Sequence, residues 1–191
     1  MEGPMKPGWD WVRMRRLAFA GVLLALMVGG AGAQETAPVR SAYFAAVAEY
    51  FGVPDSEIDI LGDWRLPPDE IPVVLFVAER AGVSPEALVA LRRGGTSWVN
   101  LAGRYQVGAG ALHVPLPAAA PSGRLERAFG EYRALPPRRW NEIRLTDPEI
   151  VALVNVRVLS ESLGLSLQTI LEQAGATGSF VELYGRLGGS E

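Results

Sequence analysis

Cysteine is absent from this chain. Neither a disulfide, a thiol nucleophile nor a thiolate metal ligand is available, so packing alone must hold the fold in any compartment. Histidine occurs once, as His113 in a proline-flanked segment, and no G-x-S-x-G elbow is present. Nucleophilic and imidazole-based catalysis therefore have little to build on. Positive charge is also short: 18 Lys and Arg face 21 Asp and Glu, a net of −3, and Lys6 is the sole lysine. Affinity for nucleic acid rests largely on neutralising phosphates, so no nucleic-acid partner is expected.

Only one long apolar run occurs, Leu17 to Val28, and it falls short of the roughly 20 residues that span a bilayer. Arg13, Arg15 and Arg16 precede it, and the small residues Gly29 to Ala33 follow. This is the layout of a secretory signal peptide, with Ala31-Gly32-Ala33 as its cleavage element. The pattern predicts a leader over 1–33 and a periplasmic or secreted mature chain over 34–191. Met14 would give such a leader a cleaner start than Met1. No cysteine stands at the cleavage point to take a lipid anchor. Removing Lys6, Arg13, Arg15, Arg16, Glu2 and Asp10 leaves 14 basic and 19 acidic residues, a mature net of about −5.

The mature region contains an internal echo. "AGVSPEALVALRRGGTSWVNLAGRY" (81–105) aligns without gaps on "LGLSLQTILEQAGATGSFVELYGRL" (163–187). Gly82, Ser84, Ser97, Val99, Leu101, Gly103 and Arg104 recur as Gly164, Ser166, Ser179, Val181, Leu183, Gly185 and Arg186, seven identities in 25 positions. Trp98 meets Phe180. A shorter echo, "FGVPDSEIDIL" (51–61), sets Gly52, Ile58 and Leu61 against Gly82, Leu88 and Leu91. The matched positions suit caps, turns and apolar faces, as for one helical unit used twice.

Each unit reads as a leading helix, a tight turn, a second helix, another turn and a short third helix. Leading helices are predicted over 71–81 and 150–163, the latter with Asp147 as N-cap and Pro148 in its first turn. Gly82 and Gly164 suit left-handed helix ends, Ser84 and Ser97 suit N-caps, and a further amphipathic helix is expected over 42–51. Only "ALHVPL" (111–116) hints at a strand. The expectation is an all-α domain built from two helix-turn-helix-like units, about 68–107 and 146–187. A Pro/Ala/Arg-rich connector, about 114–145, joins them, with ordered structure around 125–132.

"DEIPVVLFVAERAGVSPEALVALRRGGTSW", "RAFGEY", "LTDPEIVALVNVR" and "SLGLS" carry a resemblance to a group of exported bacterial helical proteins of unknown function. It covers most of the mature chain and implies architecture and export. The second unit reads "EQAGAT" where the first reads "LRRGGT", so Arg92 and Arg93 are not duplicated.

In "SWVNLAGRYQVGAGAL" the apolar spacing suits a DNA-reading helix-turn-helix, but Gln106 stands at the turn position that usually takes Gly. Gly108 and Gly110 then weaken the helix that would read bases. Asp55, Glu57 and Asp59 alternate like calcium-loop ligands, but Ile60 and Leu66 replace the Gly and Glu such a loop needs, and a capped helix start explains the acids as well. No metal or other cofactor is expected. Glu49, Asp63 and Glu79 are carboxylates for an alternative reading, an envelope hydrolase acting on glycan or peptide. Finally, Arg124, Arg127, Arg133, Arg138, Arg139 and Arg144 oppose Glu126, Glu131 and Glu142, a local excess of about three positive charges. The leading expectation is an exported, non-enzymatic binding or structural module. Arg92, Arg93, Arg138, Arg139 and Trp140 are its candidate contacts to an envelope protein or an anionic lipid surface.

Overall fold

The computed structural model describes residues 37–116 and 122–189, which belong to one compact unit, Glu35–Glu191. The expected leader and residues 117–121 of the connector lie outside the described residues. Among the described residues the protein is all-helical, without strands. The α-helices are α1 (Ala37–Phe51), α2 (Asp55–Asp63), α3 (Ile71–Ala81), α4 (Pro85–Arg93) and α5 (Trp98–Arg104). They continue with α6 (Ala109–Leu112), α7 (Glu126–Ala134), α8 (Asp147–Leu163), α9 (Leu167–Ala174) and α10 (Phe180–Gly188). Short 3-10 turns occupy Pro68–Glu70, Gly123–Leu125 and Pro137–Glu142. The 111–116 segment ends α6 and runs on without strand pairing.

The centre of the domain is the pair α3 and α8. Every residue from Ile71 to Ala78 is buried, and α8 buries Ile150, Leu153, Val154, Val156 and Leu159 on more than one side. A helix that is apolar all round has no face for water and must sit inside. Helices with one apolar stripe cover the pair: α4 presents Leu88 and Val89, α9 presents Ile170 and Leu171, and α10 presents Phe180, Val181 and Leu183.

Local signals end α3 and α8, and open α4, α5, α9 and α10, where the spacing predicts. Gly82 and Gly164 adopt φ of +64° and +63°, and the following amide in each case reaches back five residues, Val83 to Ala78 and Leu165 to Ser160. That geometry needs a left-handed residue, which glycine takes without a Cβ penalty. The side chains of Ser84, Ser97, Ser166 and Ser179 each accept an amide three residues on, opening α4, α5, α9 and α10.

One cap differs from expectation. Thr146, not Asp147, is the N-cap of α8, where its amide and hydroxyl both donate to Glu149 at 2.8 Å. This leaves the Asp147 carboxylate free to reach another helix. It accepts the Trp98 and Val99 amides of α5 at 3.0 and 2.9 Å. Asp69, just before α3, does the same for α10, accepting the Phe180 amide at 3.0 Å and the Val181 amide at 3.3 Å. Each unit's leading segment thus holds the other unit's third helix by its positive end, where a carboxylate is most stabilising. Replacing either Asp with Ala should lower stability by about 1–2 kcal/mol, read from denaturant midpoints. The two effects should add, because they act on separate helices.

Candidate functional site: an open groove beside α5

Arg92 and Arg124 explain why "LRRGGT" has no second copy. The Arg92 guanidinium bonds Glu70 through two nitrogens at 2.7 and 2.8 Å, approaches Asp147 at 3.4 Å, and donates to the Thr96 carbonyl at 3.2 Å. It also lies over the Trp98 ring at 5.4 Å. In the other unit the equivalent place is filled from the connector. Arg124 donates to the carbonyls of Ala174 and Thr177 at 2.6 and 3.3 Å and lies 5.2 Å over the Phe180 ring. The chemistry is repeated with the arginine drawn from a different part of the chain. Arg92 is therefore engaged in holding α5.

The remaining candidates divide. Trp140 is half-buried, stacks on His113 at 4.0 Å, meets Tyr132 edge-on at 5.4 Å, and donates its indole N–H to the carbonyls of Tyr132 and Leu135. It pins the connector to α7. Burial first, and then the charge of Arg157, pushes the His113 imidazole below its usual value. Arg139 pairs with Glu142 at 2.6 Å. Arg93 and Arg138 are exposed, and among the described residues neither has an ion pair or hydrogen bond. The structure does not bring the five together.

Most other connector arginines are also committed. Arg127 joins the carboxylates of Glu149 and Glu131, and Arg133 reaches Glu126 at 3.1 Å. Burial works to raise the Glu149 carboxyl, but bonds from Arg127 and Thr146 outweigh it and hold the group below the ordinary carboxylate range. The hydrolase candidates Glu49, Asp63 and Glu79 are exposed on α1, α2 and α3. Asp55, Glu57 and Asp59 lie at the start of α2, whose Ile58 and Leu61 are buried. Among the described residues no three His, Asp or Glu side chains are placed to hold a metal ion, and no helix is long and apolar enough to cross a membrane.

A groove of about 1010 Å³ opens between α5, the turn after it and the segment 141–145. Val99 is exposed in it, the core residues Val107, Ile143 and Leu145 lie beneath it, and Arg104 and Arg144 line it. Among the described residues neither arginine has an acidic partner, although Arg104 lies 5.7 Å over the ring of Tyr105. Glu142 also lines the groove, but its charge is met by Arg139. The helix-turn-helix spacing is realised here only in part. Gln106 adopts φ of +60° despite its side chain, held by the Val107 amide on the Ala102 carbonyl at 2.9 Å. The helix that follows, α6, is only four residues long and buries Ala109 and Leu112. Gly108 and Gly110 are there because Asn141 presses on them, its side chain accepting the Gly110 amide at 3.1 Å. The polar wall is thus a packed connector in place of an exposed recognition helix.

Residue-by-residue reading of the sequence passes over the groove, since Val99, Arg104 and Arg144 are ordinary residues on three separate stretches. The signal that marks two of them is the repeat, which pairs Val99 with Val181 and Arg104 with Arg186.

Fold and groove together define a class: an all-helical domain with an open groove of mixed polar and apolar surface, flanked by arginine. No protein-family model, curated protein or solved structure matches the chain.

Proposed function

We propose that this protein is an exported, non-enzymatic helical module that binds a partner in the bacterial envelope. The observation that carries the binding role is the groove beside α5. Val99 lies there 41% exposed, one of two large apolar side chains exposed to that degree among the described residues. A concave surface holding an exposed valine beside two arginines that have no acidic partner among the described residues offers a complementary partner both apolar contact and charge. The signal-peptide pattern at 13–33 and the resemblance to exported bacterial proteins support the location.

The test uses the full chain in its native envelope. Val99 is replaced by a photoreactive phenylalanine analogue, with the same replacement at Ile60 as control. Ile60 is 50% exposed on α2 and does not line the groove. A discrete adduct is expected from position 99 and not from position 60. N-terminal sequencing of the envelope form should begin at Gln34. No adduct at 99, or equal labelling at 60, would defeat the binding role; an uncleaved chain in the cytoplasm would defeat the export.

A further inference from the structure

The two units do not treat their third helices alike. In α10, Val181 is fully buried, and α1 lies across the helix so closely that a Cβ on Gly185 would come within 2.5 Å of Val39 Cγ1. Tyr43 of α1 also meets Tyr184 of α10 edge-on at 5.9 Å. The matching positions in α5 are Val99 and Gly103. Val99 is 41% exposed, and among the described residues nothing comes within 4 Å of a Cβ built on Gly103. Both residues line the groove. The face that α1 covers on α10 is therefore open on α5, with the same valine, glycine and arginine in place.

Glycine inside a helix costs about 1 kcal/mol relative to Ala. At Gly185 that cost is offset by the close approach of Val39. At Gly103 no neighbour among the described residues accounts for it.

We propose that the α5 groove receives an amphipathic helix from a partner protein, seated on Gly103 beside Val99 as α1 is seated on Gly185 of α10. The occupant carries a small or β-branched apolar residue against Gly103 and acidic residues beside Arg104 and Arg144. Helix-in-groove recognition supplies apolar anchors at helical spacing, and the flanking charges set orientation and encounter rate. This inference rests on the binding role proposed above and names the partner's chemistry.

The probe is a labelled synthetic peptide of α1, residues 37–51, carrying Arg40→Glu so that an acid follows the residue equivalent to Val39. The mature chain should bind it saturably in the micromolar range, and less tightly as salt rises. Gly103→Leu should weaken binding about tenfold or more, a change worth about 1.4 kcal/mol per decade. The same variant should melt at the same temperature or higher, since leucine is the better helix former and a Cβ at this position meets no described atom within 4 Å. Arg104→Glu with Arg144→Glu should weaken binding several-fold. Absence of saturable binding, or binding indifferent to Gly103→Leu, overturns the assignment. So does concentration-dependent dimerisation abolished by Gly103→Leu, which would make a second copy the occupant. Binding to anionic vesicles that requires Arg104 and Arg144, with no peptide binding, would make it a lipid surface. Photoadducts at position 99 alongside any of these failures would leave the binding role standing and the helix excluded.

Discussion

Replacing Trp98 with alanine is expected to lower stability by about 3–5 kcal/mol, the range for deleting a large buried aromatic. Trp98 is 0% exposed, and its surroundings have been committed to it: Arg92 lies over the ring, and Asp147 accepts its amide from the start of α8. Truncation removes the apolar surface, leaves a cavity beside α5, and takes away the face on which the Arg92 guanidinium rests. Urea midpoints at unchanged m would report the loss. The informative second variant is Trp98→Phe, which installs the residue the other unit already uses at Phe180. Among the described residues the buried indole N–H of Trp98 has no hydrogen-bond partner, so phenylalanine removes an unsatisfied donor as well as volume. Its cost should be about 1–2 kcal/mol, within the usual range for a modest loss of core volume. If Trp98→Phe costs as much as Trp98→Ala, ring volume is not what anchors α5.

Asn155→Leu should cost about 2–5 kcal/mol, although leucine is apolar and similar in size. Asn155 is fully buried in the middle of α8. Its carbonyl oxygen accepts the Tyr43 hydroxyl, and its amide donates at 2.8 Å to the carbonyls of both Asp69 and Val151. One side chain thereby ties α1, the segment before α3, and α8. Leucine would remove three hydrogen bonds, from the Tyr43 hydroxyl and to the Asp69 and Val151 carbonyls, at about 1 kcal/mol each. Tyr43→Phe should cost less in this background than in the unmodified protein, because the hydroxyl has already lost its bond to Asn155. The double-mutant cycle should therefore be non-additive, and strict additivity would show that the pair does not interact. Faster amide exchange is also expected at Phe180 and Val181, because their acceptor Asp69 is held from the same point.

Much of the fold was legible in the chain. The glycine and serine positions that mark helix ends at 82, 84, 97, 164, 166 and 179 depend on backbone geometry within a few residues, and they sit where the spacing requires. The leading helix of the first unit ends at Ala81 as expected, and α1 extends five residues before the predicted Ala42. The cap of α8 was misplaced by one residue for a physical reason. Asp147 and Thr146 are both competent N-caps, and the choice falls to Thr146 because α5 lies within reach of the Asp147 carboxylate.

The candidate contacts were harder to read, because the charge pattern along a chain does not say which charges are already paired. Six connector arginines look alike in sequence, but Arg124, Arg127, Arg133 and Arg139 are each satisfied by a carbonyl or carboxylate, while Arg138 and Arg144 lack an acidic partner among the described residues. Arg92 stands beside Arg93 and differs from it completely. One side chain leaves α4 toward Glu70 and Trp98, and the other is exposed.

By itself the sequence determined the all-helical class, the glycine and serine caps at 82, 84, 97, 164, 166 and 179, the internal repeat and the pairing of Trp98 with Phe180. All of these follow from propensity, capping and periodicity, which act over a few residues. Tertiary structure alone decided that Arg124 takes the place Arg92 holds in the other unit, and that Asp69 and Asp147 each hold the opposite unit's third helix. It also decided that α10 is covered where α5 is open. Those outcomes join residues from about 50 to more than 110 positions apart, a separation at which the fold alone determines which side chains meet.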